Sequence, residues 1–508
     1  MKIFAAIDVG SYELAMKIYE ISSKGNIKEI DHIRKRIELG TDTYNTGKIS
    51  SERVDEVCNT LLEFKRIMAG YKVDQVKVYG TSAIRETQNT LIVIEQIYLR
   101  TGLKVEVLSN SEQCFLHYKA VASRGERFEE LIHDGSAIVD IGGGSIQVSL
   151  FSDSRLRATQ NIRLGILRIR EILADLEAKT TDYASLVSEL VDNHFYYFNE
   201  LFMSDTKVDS VIVVDDYISY IIQRAFGKDF VTTDEYKKFI KEVKEEKASV
   251  IAKKYGLSEE YASLLVPSAI LVRKLVKLAG AAKIWAPGVS LSDGMAYDYA
   301  QSLKLMKNSH DFEADVVSCA EEVASRYKSN KQRCELVENV ALKLFDETKK
   351  IHGLSARERL LLRIAAILSD CGKYMSLEDA AECSYVIIMA TEMIGISHAE
   401  REIIANVVKF NKAHFEYYSD LAKASLLEKE DYLTITKLTA IFRLADGICR
   451  SYKAKVKGIK VSIKESEMII NADCDETLIL ERGFFERKAR FFDEVFSIKP
   501  VLVHKKKN

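Results

Sequence analysis

The fold of this chain is decided by the stretch AIVDIGGGSIQVSLF, residues 137–151. An apolar run ends at Asp140, the segment Gly142, Gly143, Gly144 and Ser145 follows at once, and alternating apolar and polar residues then resume. Two strand-like runs around a short glycine-rich segment predict a hairpin. Glycine lets a turn adopt positive φ and lets backbone N–H groups approach a ligand. Successive N–H groups in such a turn form a concave anion site, although a single glycine run also fits an empty tight turn.

A matching loop lies near the amino-terminal end. Residues 3–7 form an apolar, strand-like run that is followed by Asp8, Val9, Gly10 and Ser11, and residues 14–21 have the alternation of a half-exposed strand. The two matched loops favour phosphate binding over an empty hairpin. The loops are expected to hold phosphates, and the carboxylates a hydrated Mg²⁺, which prefers one or two carboxylates together with substrate phosphates.

Strand and helix signals recur in the same order after each loop. The further predicted strands are residues 76–79 and 105–108 in the first half, and 137–140, 146–151 and 210–214 in the second. Residues 284–291 also have strand-like character, with a turn predicted over residues 292–294. Two similar halves predict a duplicated α/β fold with a cleft between them.

Composition bounds the class of protein. The chain has 508 residues, 47% hydrophobic and 29% charged, which is typical of a globular protein with two to four domains. A formal net charge of -2 provides no general attraction for nucleic acid or an acidic membrane surface. The 8 cysteines are scattered without a CxxC pair, and the first apolar run is too short for a signal peptide. We therefore predict a cytoplasmic protein with neither nucleic acid nor a membrane as partner.

Five stretches together resemble a known family. They are AAIDVGS (residues 5–11), YGTSAIRE (79–86), VLSNSEQCFL (107–116), VDIGGGSIQVSL (139–150) and, more weakly, VSLSDGMAY (289–297). In order and spacing they resemble the exopolyphosphatase/guanosine pentaphosphate phosphatase (Ppx/GppA) family, over roughly residues 2–300. The resemblance implies two ribonuclease H-like halves of the actin and sugar-kinase superfamily, built around a phosphate-binding cleft.

The resemblance also assigns site residues. Glu112 stands where the family has its catalytic, water-activating glutamate, and Arg85 where it has a phosphate-facing arginine. Asp140 and Asp8 are expected to hold Mg²⁺. The expected phosphate-binding residues are Gly10, Ser11, Thr81, Ser82, Gly142, Gly143, Gly144 and Ser145. A carboxylate at a helix start also interacts favourably with the helix dipole, so the alternative role of Glu112 is only to stabilise that helix.

Several positions depart from the family pattern. Tyr12 and Glu13 replace a small polar pair, Ile146 and Gln147 replace Thr-Glu, and Phe115 replaces an arginine. Asp215 and Asp216 stand where a further phosphate turn is expected. The leading hypothesis is a hydrolase that cleaves the terminal phosphoanhydride of polyphosphate or guanosine pentaphosphate. The alternative is a family member that binds such phosphates as a sensor or regulator without turnover; a kinase of the same superfamily is a third, weaker possibility.

The predicted domains are residues 1–124 and 125–305, the two halves, and residues 306–508, a helical domain with a small terminal hairpin. The last resembles the HD-type domain of longer family members. Active HD domains need His, His-Asp and a later Asp as metal ligands. Here Ser369 and Asp370 replace His-Asp, Asp446 remains, and the first histidine position, near Cys334, holds no histidine. We expect a domain without HD catalysis that serves a homodimer or extends the substrate channel.

Overall fold

In the computed structural model, apolar strands and amphipathic helices build an amino-terminal unit, and a mostly helical unit follows. The structure describes residues 1–177, 179–180, 182–203, 206–214, 216–257, 259–306, 310–422, 427–453 and 455–504. Met1–Phe312 and Glu313–Asn508 form the two units. Asp215, where a phosphate turn is expected from the sequence, lies outside the described residues, and so does the end of the basic carboxyl-terminal tail.

The first sheet of the amino-terminal unit has five strands in the order β3-β2-β1-β4-β5. They are β1 (Lys2–Val9), β2 (Glu13–Ile21), β3 (Ile27–Arg36), β4 (Gln75–Gly80) and β5 (Glu106–Val107). β1 pairs antiparallel with β2 and parallel with β4. Residues 4–7 of β1 are all buried, since helices and neighbouring strands cover both faces, which explains their continuous apolar run.

The second sheet repeats this arrangement, in the order β10-β11-β9-β6-β7-β8. Its strands are β6 (Ser136–Ile141), β7 (Ile146–Ser152), β8 (Arg155–Ile162), β9 (Ser210–Val214), β10 (Phe230–Thr232) and β11 (Lys283–Trp285). β6 pairs antiparallel with β7 and parallel with β9, as β1 does with β2 and β4. The predicted α/β fold with two similar halves is confirmed.

Helices cover the faces of both sheets. They are α1 (Leu39–Thr46), α2 (Ser51–Tyr71), α3 (Ser82–Glu86), α4 (Thr90–Thr101), α5 (Asn110–Ala122), α6 (Glu126–Asp134), α7 (Ile166–Glu177), α8 (Tyr183–Phe198), α9 (Asp216–Phe226), α10 (Thr233–Glu245), α11 (Ala248–Lys254), α12 (Glu259–Ala279) and α13 (Leu291–Ser302). α2 shows why they form. The Ser50 hydroxyl accepts the Arg53 N–H at 3.4 Å at its start, and Val54, Val57 and Leu61 bury one face.

Three local predictions about this unit are wrong. The strand-like run over residues 284–291 forms a strand only as far as Trp285, and Leu291 begins α13. Residues 14–21, expected to be half-exposed, are almost wholly buried in β2, because the sheet is covered on both faces. The turn expected over residues 292–294 is the first turn of α13, where Ser290 N–H and Oγ–H both donate to Asp293 Oδ2 at 2.7 Å. Such a capping box satisfies backbone donors at a helix start, so Ser, Asp and Gly begin a helix here instead of a turn.

The carboxyl-terminal unit is built on helices α14 (Phe312–Arg326), α15 (Lys331–Glu347), α16 (Lys349–His352), α17 (Ala356–Ile367), α18 (Ala380–Ala390), α19 (His398–Lys412), α20 (Tyr418–Leu421), α21 (Lys429–Ile448) and α22 (Ile479–Phe496). α21 is central to it and packs against α15, α19 and α22. The hairpin expected from the sequence is present as β12 (Gly458–Lys464) and β13 (Glu467–Asp473). A third strand, β14 (Lys499–His504), pairs parallel with β13 and was not predicted.

In the part of the chain that the structure describes, no helix is both long and apolar enough to cross a membrane.

Candidate functional site

Three loops of the amino-terminal unit meet at one edge of the paired sheets. The loop after β1 carries Gly10 and Ser11, the loop after β4 carries Thr81 and Ser82, and the loop after β6 carries the three glycines. β1 and β4 run parallel and end level with one another, and the Thr81 N–H donates to the Val9 carbonyl at 3.2 Å. The hydroxyl oxygens of Ser11 and Ser82 therefore come within 2.8 Å of each other.

The glycine loop approaches the first half too closely for any side chain. A Cβ on Gly143 would lie 2.9 Å from the Cβ of Ser11 and 2.9 Å from Leu167 Cδ1. The carbonyls of Gly142 and Gly143 accept the N–H groups of Ile166 and Arg168, at 3.1 Å each, from the start of α7. The N–H groups of Gly143 and Gly144, by contrast, donate to no other described residue. The loop thus keeps two backbone donors that no other described residue uses, and it packs against the Ser11 side chain; backbone N–H groups and serine hydroxyls together can form an anion cradle.

Tyr44 of α1 closes this cradle. Its hydroxyl lies 2.9 Å from Ser11 Oγ and 3.1 Å from Ser82 Oγ, and a Cβ on Gly144 would lie 2.1 Å from it. The Arg168 guanidinium lies over the Tyr44 ring, 4.3 Å from its centroid. Burial raises the pKa of Tyr44, so the hydroxyl keeps its proton at neutral pH. No pattern in the sequence pointed to Tyr44, because its partners are brought to it only by the fold.

Arg168 is itself held in place across the two halves. Its Nη2 donates to Glu86 Oε2 at 2.6 Å, and its Nε donates to the Gly144 carbonyl at 2.8 Å. Glu86 ends α3, which begins at Ser82. One guanidinium thus connects α3, the glycine loop and the ring of Tyr44.

A cavity of about 140 Å³ opens beside the cradle. Eight of the expected site residues line it: Asp8, Gly10, Ser11, Thr81, Ser82, Asp140, Gly142 and Gly143. Asp140 is 6% exposed, and its Oδ2 lies 2.6 Å from Nδ1 of His117 on α5. Because an ionised carboxylate only accepts, Nδ1 carries the proton of this hydrogen bond. His117 is also part of the cavity wall, and no pattern in the sequence pointed to it.

The described wall of the cavity includes neither of the two expected catalytic residues, Glu112 and Arg85. Glu112 Oε2 accepts the Ser109 N–H at 2.9 Å and the Ser109 Oγ–H at 2.6 Å, in a capping box. Arg85 Nη1 donates to the Leu108 carbonyl at 2.6 Å and approaches Gln113 Oε1 at 3.4 Å. Gln113, the neighbour of Glu112, does line the cavity. Gly144 and Ser145 are not in the described lining of the cavity either; Gly144 faces the Tyr44 hydroxyl, and the Ser145 carbonyl accepts the Gly142 N–H at 3.0 Å.

Tyr12 and Glu13, which depart from the family pattern, each lie close to an arginine side chain. Glu13 lies 3.7 Å from Arg34, which reduces its repulsion of an anion. The Tyr12 ring faces the Arg36 guanidinium at 5.5 Å. Gln147 is buried, and within the described residues its Nε2 has no hydrogen-bond partner.

The acidic residues of the cavity fit Mg²⁺ better than they fit a metal ion whose ligands all come from the protein. Asp8 and Asp140 are hard oxygen donors in one wall. In the residues that the structure describes, no three His, Cys, Asp or Glu side chains are grouped as a metal site. Mg²⁺ needs no such group, since it keeps several waters and binds through one or two carboxylates and substrate phosphates.

Known proteins provide an independent comparison. A model of the Ppx/GppA phosphatase family matches residues 18–303, and a model of Ppx/GppA phosphatase domain III matches residues 317–486. The guanosine-5'-triphosphate,3'-diphosphate pyrophosphatase of Photobacterium profundum is 20% identical over 473 residues, which cover 92% of this chain and 91% of that protein. Exopolyphosphatase 1 of Mycobacterium tuberculosis (strain ATCC 25618 / H37Rv) is 26% identical over 170 residues, 33% of this chain and 48% of that protein.

A solved structure described as an exopolyphosphatase from Cytophaga hutchinsonii ATCC 33406 has the same fold. It superposes with a TM-score of 0.51 at 18% identity, and the match covers 60% of this chain and 100% of that chain.

Proposed function

Because the chain belongs to the Ppx/GppA phosphatase family, we propose that it hydrolyses the terminal phosphoanhydride bond of a phosphate chain, either inorganic polyphosphate or guanosine pentaphosphate. One observation carries this proposal. The hydroxyls of Ser11 and Ser82 lie 2.8 Å apart and against the glycine loop, where a Cβ on Gly143 would come within 2.9 Å of the Ser11 Cβ. Hydroxyls and backbone N–H groups from three loops and both halves suit the oxygens of one phosphate group.

The terminal phosphate binds in the cradle, and the rest of the chain extends into the cavity. Asp8 and Asp140 would hold Mg²⁺, which would neutralise negative charge on the phosphates. His117 donates to Asp140 Oδ2 and so holds that carboxylate in one orientation. Arg85, whose guanidinium is held by the Leu108 carbonyl, contributes positive charge near the phosphates.

Glu112 activates the attacking water. Its Oε2 is held by the two hydrogen bonds from Ser109, and its Oε1 takes a proton from the water. The water oxygen forms the new bond to phosphorus while the bond to the bridging oxygen breaks, and that oxygen remains on the shortened chain. Such a transfer passes through a loose transition state, so positioning and charge neutralisation supply most of the catalysis.

The capping box makes a sharp test possible. Glutamine also completes a capping box at this position, so Glu112→Gln removes the base and leaves the start of α5 intact. A matched control is Glu235→Gln, since Glu235 forms the same capping box with Thr232 at the start of α10. Phosphate release is measured from long-chain polyphosphate and from guanosine pentaphosphate with Mg²⁺. We expect Glu112→Gln to lower release roughly 10²–10⁴-fold and the control to leave it unchanged.

A second candidate function, phosphate-chain sensing without turnover, is favoured by Tyr44. Its hydroxyl already bonds both serine hydroxyls, as a bound phosphate oxygen would. The unaltered protein could bind either compound without releasing phosphate, and the Glu112→Gln variant could behave in the same way. In that case the chain is a sensor and the hydrolase proposal is wrong.

A further inference from the structure

The wall of the cleft cavity carries more negative than positive charge. The carboxylates of Asp8, Glu13 and Asp140 line it. In the described lining, the one guanidinium is that of Arg34, and no lysine is present. Arg34 Nη1 lies 3.7 Å from Glu13 Oε1, and His117 donates to Asp140 Oδ2, so both basic groups already face a carboxylate. Such a wall repels a long polyanion, because charge of the same sign along a cleft lowers the local concentration of the ligand.

Apolar side chains form another part of the same wall. They are Ile141, Ile166, Leu167, Tyr217 and Leu264. All five belong to the hydrophobic core of the second half and are at most 7% exposed. A wall of this kind favours a ligand whose apolar or aromatic surface it removes from water. It disfavours ionised phosphate oxygens, which lose their hydration against it.

The apolar wall begins directly at the phosphate cradle. A Cβ on Gly143 would lie 2.9 Å from Leu167 Cδ1, and the Ile166 N–H donates to the Gly142 carbonyl at 3.1 Å. The glycine loop therefore contacts both the serine side of the cleft and the apolar side. In a cavity of about 140 Å³, the group attached to a phosphate in the cradle lies against this wall.

Tyr217 brings an aromatic residue to the end of β9. Val214, the last residue of β9, is the register partner of Asp140 on β6. Tyr217 lies in the first turn of α9 and lines the cavity at the sheet edge that carries Asp140. Leu264 lines the same cavity from α12, which packs against both β9 and α9. Two separate elements thus supply this part of the apolar wall.

We propose that Tyr217 and Leu264 determine the specificity of the cleft, and that its ligand is a phosphate carried by a nucleoside and not a long inorganic chain. The inference rests on the proposed function, because it concerns the same phosphate cradle. The base of a nucleoside has aromatic surface that this wall removes from water, and its phosphates need no extended run of cations. An inorganic chain presents only charged groups to the same wall.

The binding of two matched analogues to the full chain tests this specificity. Guanosine 5'-imidotriphosphate and inorganic diimidotriphosphate both carry three phosphates and resist hydrolysis, and each is titrated calorimetrically in the presence of Mg²⁺. We expect the guanosine compound to bind about tenfold more tightly. Equal affinities, or tighter binding of the inorganic compound, would overturn the proposal.

Phosphate release from guanosine pentaphosphate, measured beside the titrations, separates this proposal from the proposed function. If no phosphate is released but the guanosine compound is preferred, hydrolysis is wrong and the specificity stands. If phosphate is released and the two affinities are equal, the reverse holds. Binding of neither compound contradicts both.

The ratio of the two affinities distinguishes ligand contact from structural support. Tyr217→Val is expected to weaken binding of the guanosine compound about tenfold and to leave the inorganic compound unaffected. Tyr220→Val is the matched control, because Tyr220 lies on the same helix, is 36% exposed and is not in the described lining. A merely structural role of Tyr217 would weaken both affinities alike.

A second variant changes the charge of the wall and leaves the core intact. Glu13→Gln removes one carboxylate and leaves Arg34 without that partner. We expect it to tighten binding of the inorganic compound more than binding of the guanosine compound. An affinity ratio that neither Tyr217→Val nor Glu13→Gln changes contradicts the proposal.

Discussion

Removing the hydroxyl of Tyr44 is expected to tighten phosphate binding in the amino-terminal cleft. That hydroxyl makes hydrogen bonds to Ser11 at 2.9 Å and to Ser82 at 3.1 Å, and it fills the space beside Gly144. A phosphate that uses the same serines must displace it. At about 1 kcal/mol for each of two hydrogen bonds, displacement costs about 2 kcal/mol. Tyr44→Phe removes this cost, so the affinity should rise about 30-fold.

The affinity for imidodiphosphate, an analogue that resists hydrolysis, is measured by calorimetry, and the KM for polyphosphate is measured beside it. The ring of Tyr44 and its contact with Arg168 remain in the phenylalanine variant, so the packing of α1 is preserved. Tyr183→Phe is the matched control, because Tyr183 packs on the same core and its hydroxyl bonds no other described residue. Unchanged or weaker binding in Tyr44→Phe would refute the reasoning and make the hydroxyl a ligand contact instead of a competitor.

Three further predictions follow from single contacts. Gly143→Ala places a Cβ 2.9 Å from the Cβ of Ser11. We expect urea unfolding to show a loss of about 1–3 kcal/mol in the free energy of unfolding, and phosphate release to be at least tenfold slower. Folding lowers the pKa of Asp446 from its ordinary 3.8 to about 2, because burial, which raises it, is outweighed by Lys488 and Arg333. Its ionisation therefore contributes about 2 kcal/mol to the free energy of unfolding above pH 4, and this contribution is lost as the pH falls toward 2. Urea unfolding at pH 5 and pH 3 should therefore show a smaller drop in Asp446→Asn than in the unaltered chain, and an equal drop contradicts the assignment. Ser109→Ala removes an N-cap and one of the two donors that hold Glu112, the hydroxyl, while the backbone N–H remains. About 1 kcal/mol of stability and most of kcat should be lost with KM unchanged, whereas a change in KM alone would argue against Glu112 as the base.

The elements that the sequence predicted well are those whose signal is local. A strand buried on both faces needs an unbroken apolar run, which is why β1, β6 and β9 were recognised from sequence alone. The first turn of α13 was mistaken for a loop because Ser, Asp and Gly favour both a turn and a helix start. Packing decided between them, since Asp293 also binds Lys17 and Tyr19 of β2, far away along the chain.

The residues of the candidate site also include some that a local sequence pattern predicts and others that it does not. The loop with Gly10 and Ser11 and the loop with the three glycines were predicted because loops that follow strands and approach a ligand closely need small residues. Ser82 was expected from the family resemblance, and the catalytic roles of Glu112 and Arg85 stay predictions.

What the sequence by itself determined is therefore the backbone of the site: the duplicated sheets and the three loops. What only the tertiary structure decided is which side chains complete it, since Tyr44 reaches the cradle from α1 and His117 reaches Asp140 from α5. The same holds in the carboxyl-terminal unit, where Arg333 reaches Asp446 across more than a hundred residues. Each of these residues is ordinary within its own segment. The physical reason is that a hydrogen bond or ion pair depends on distance in space, and folding, not local sequence, brings its two partners within reach.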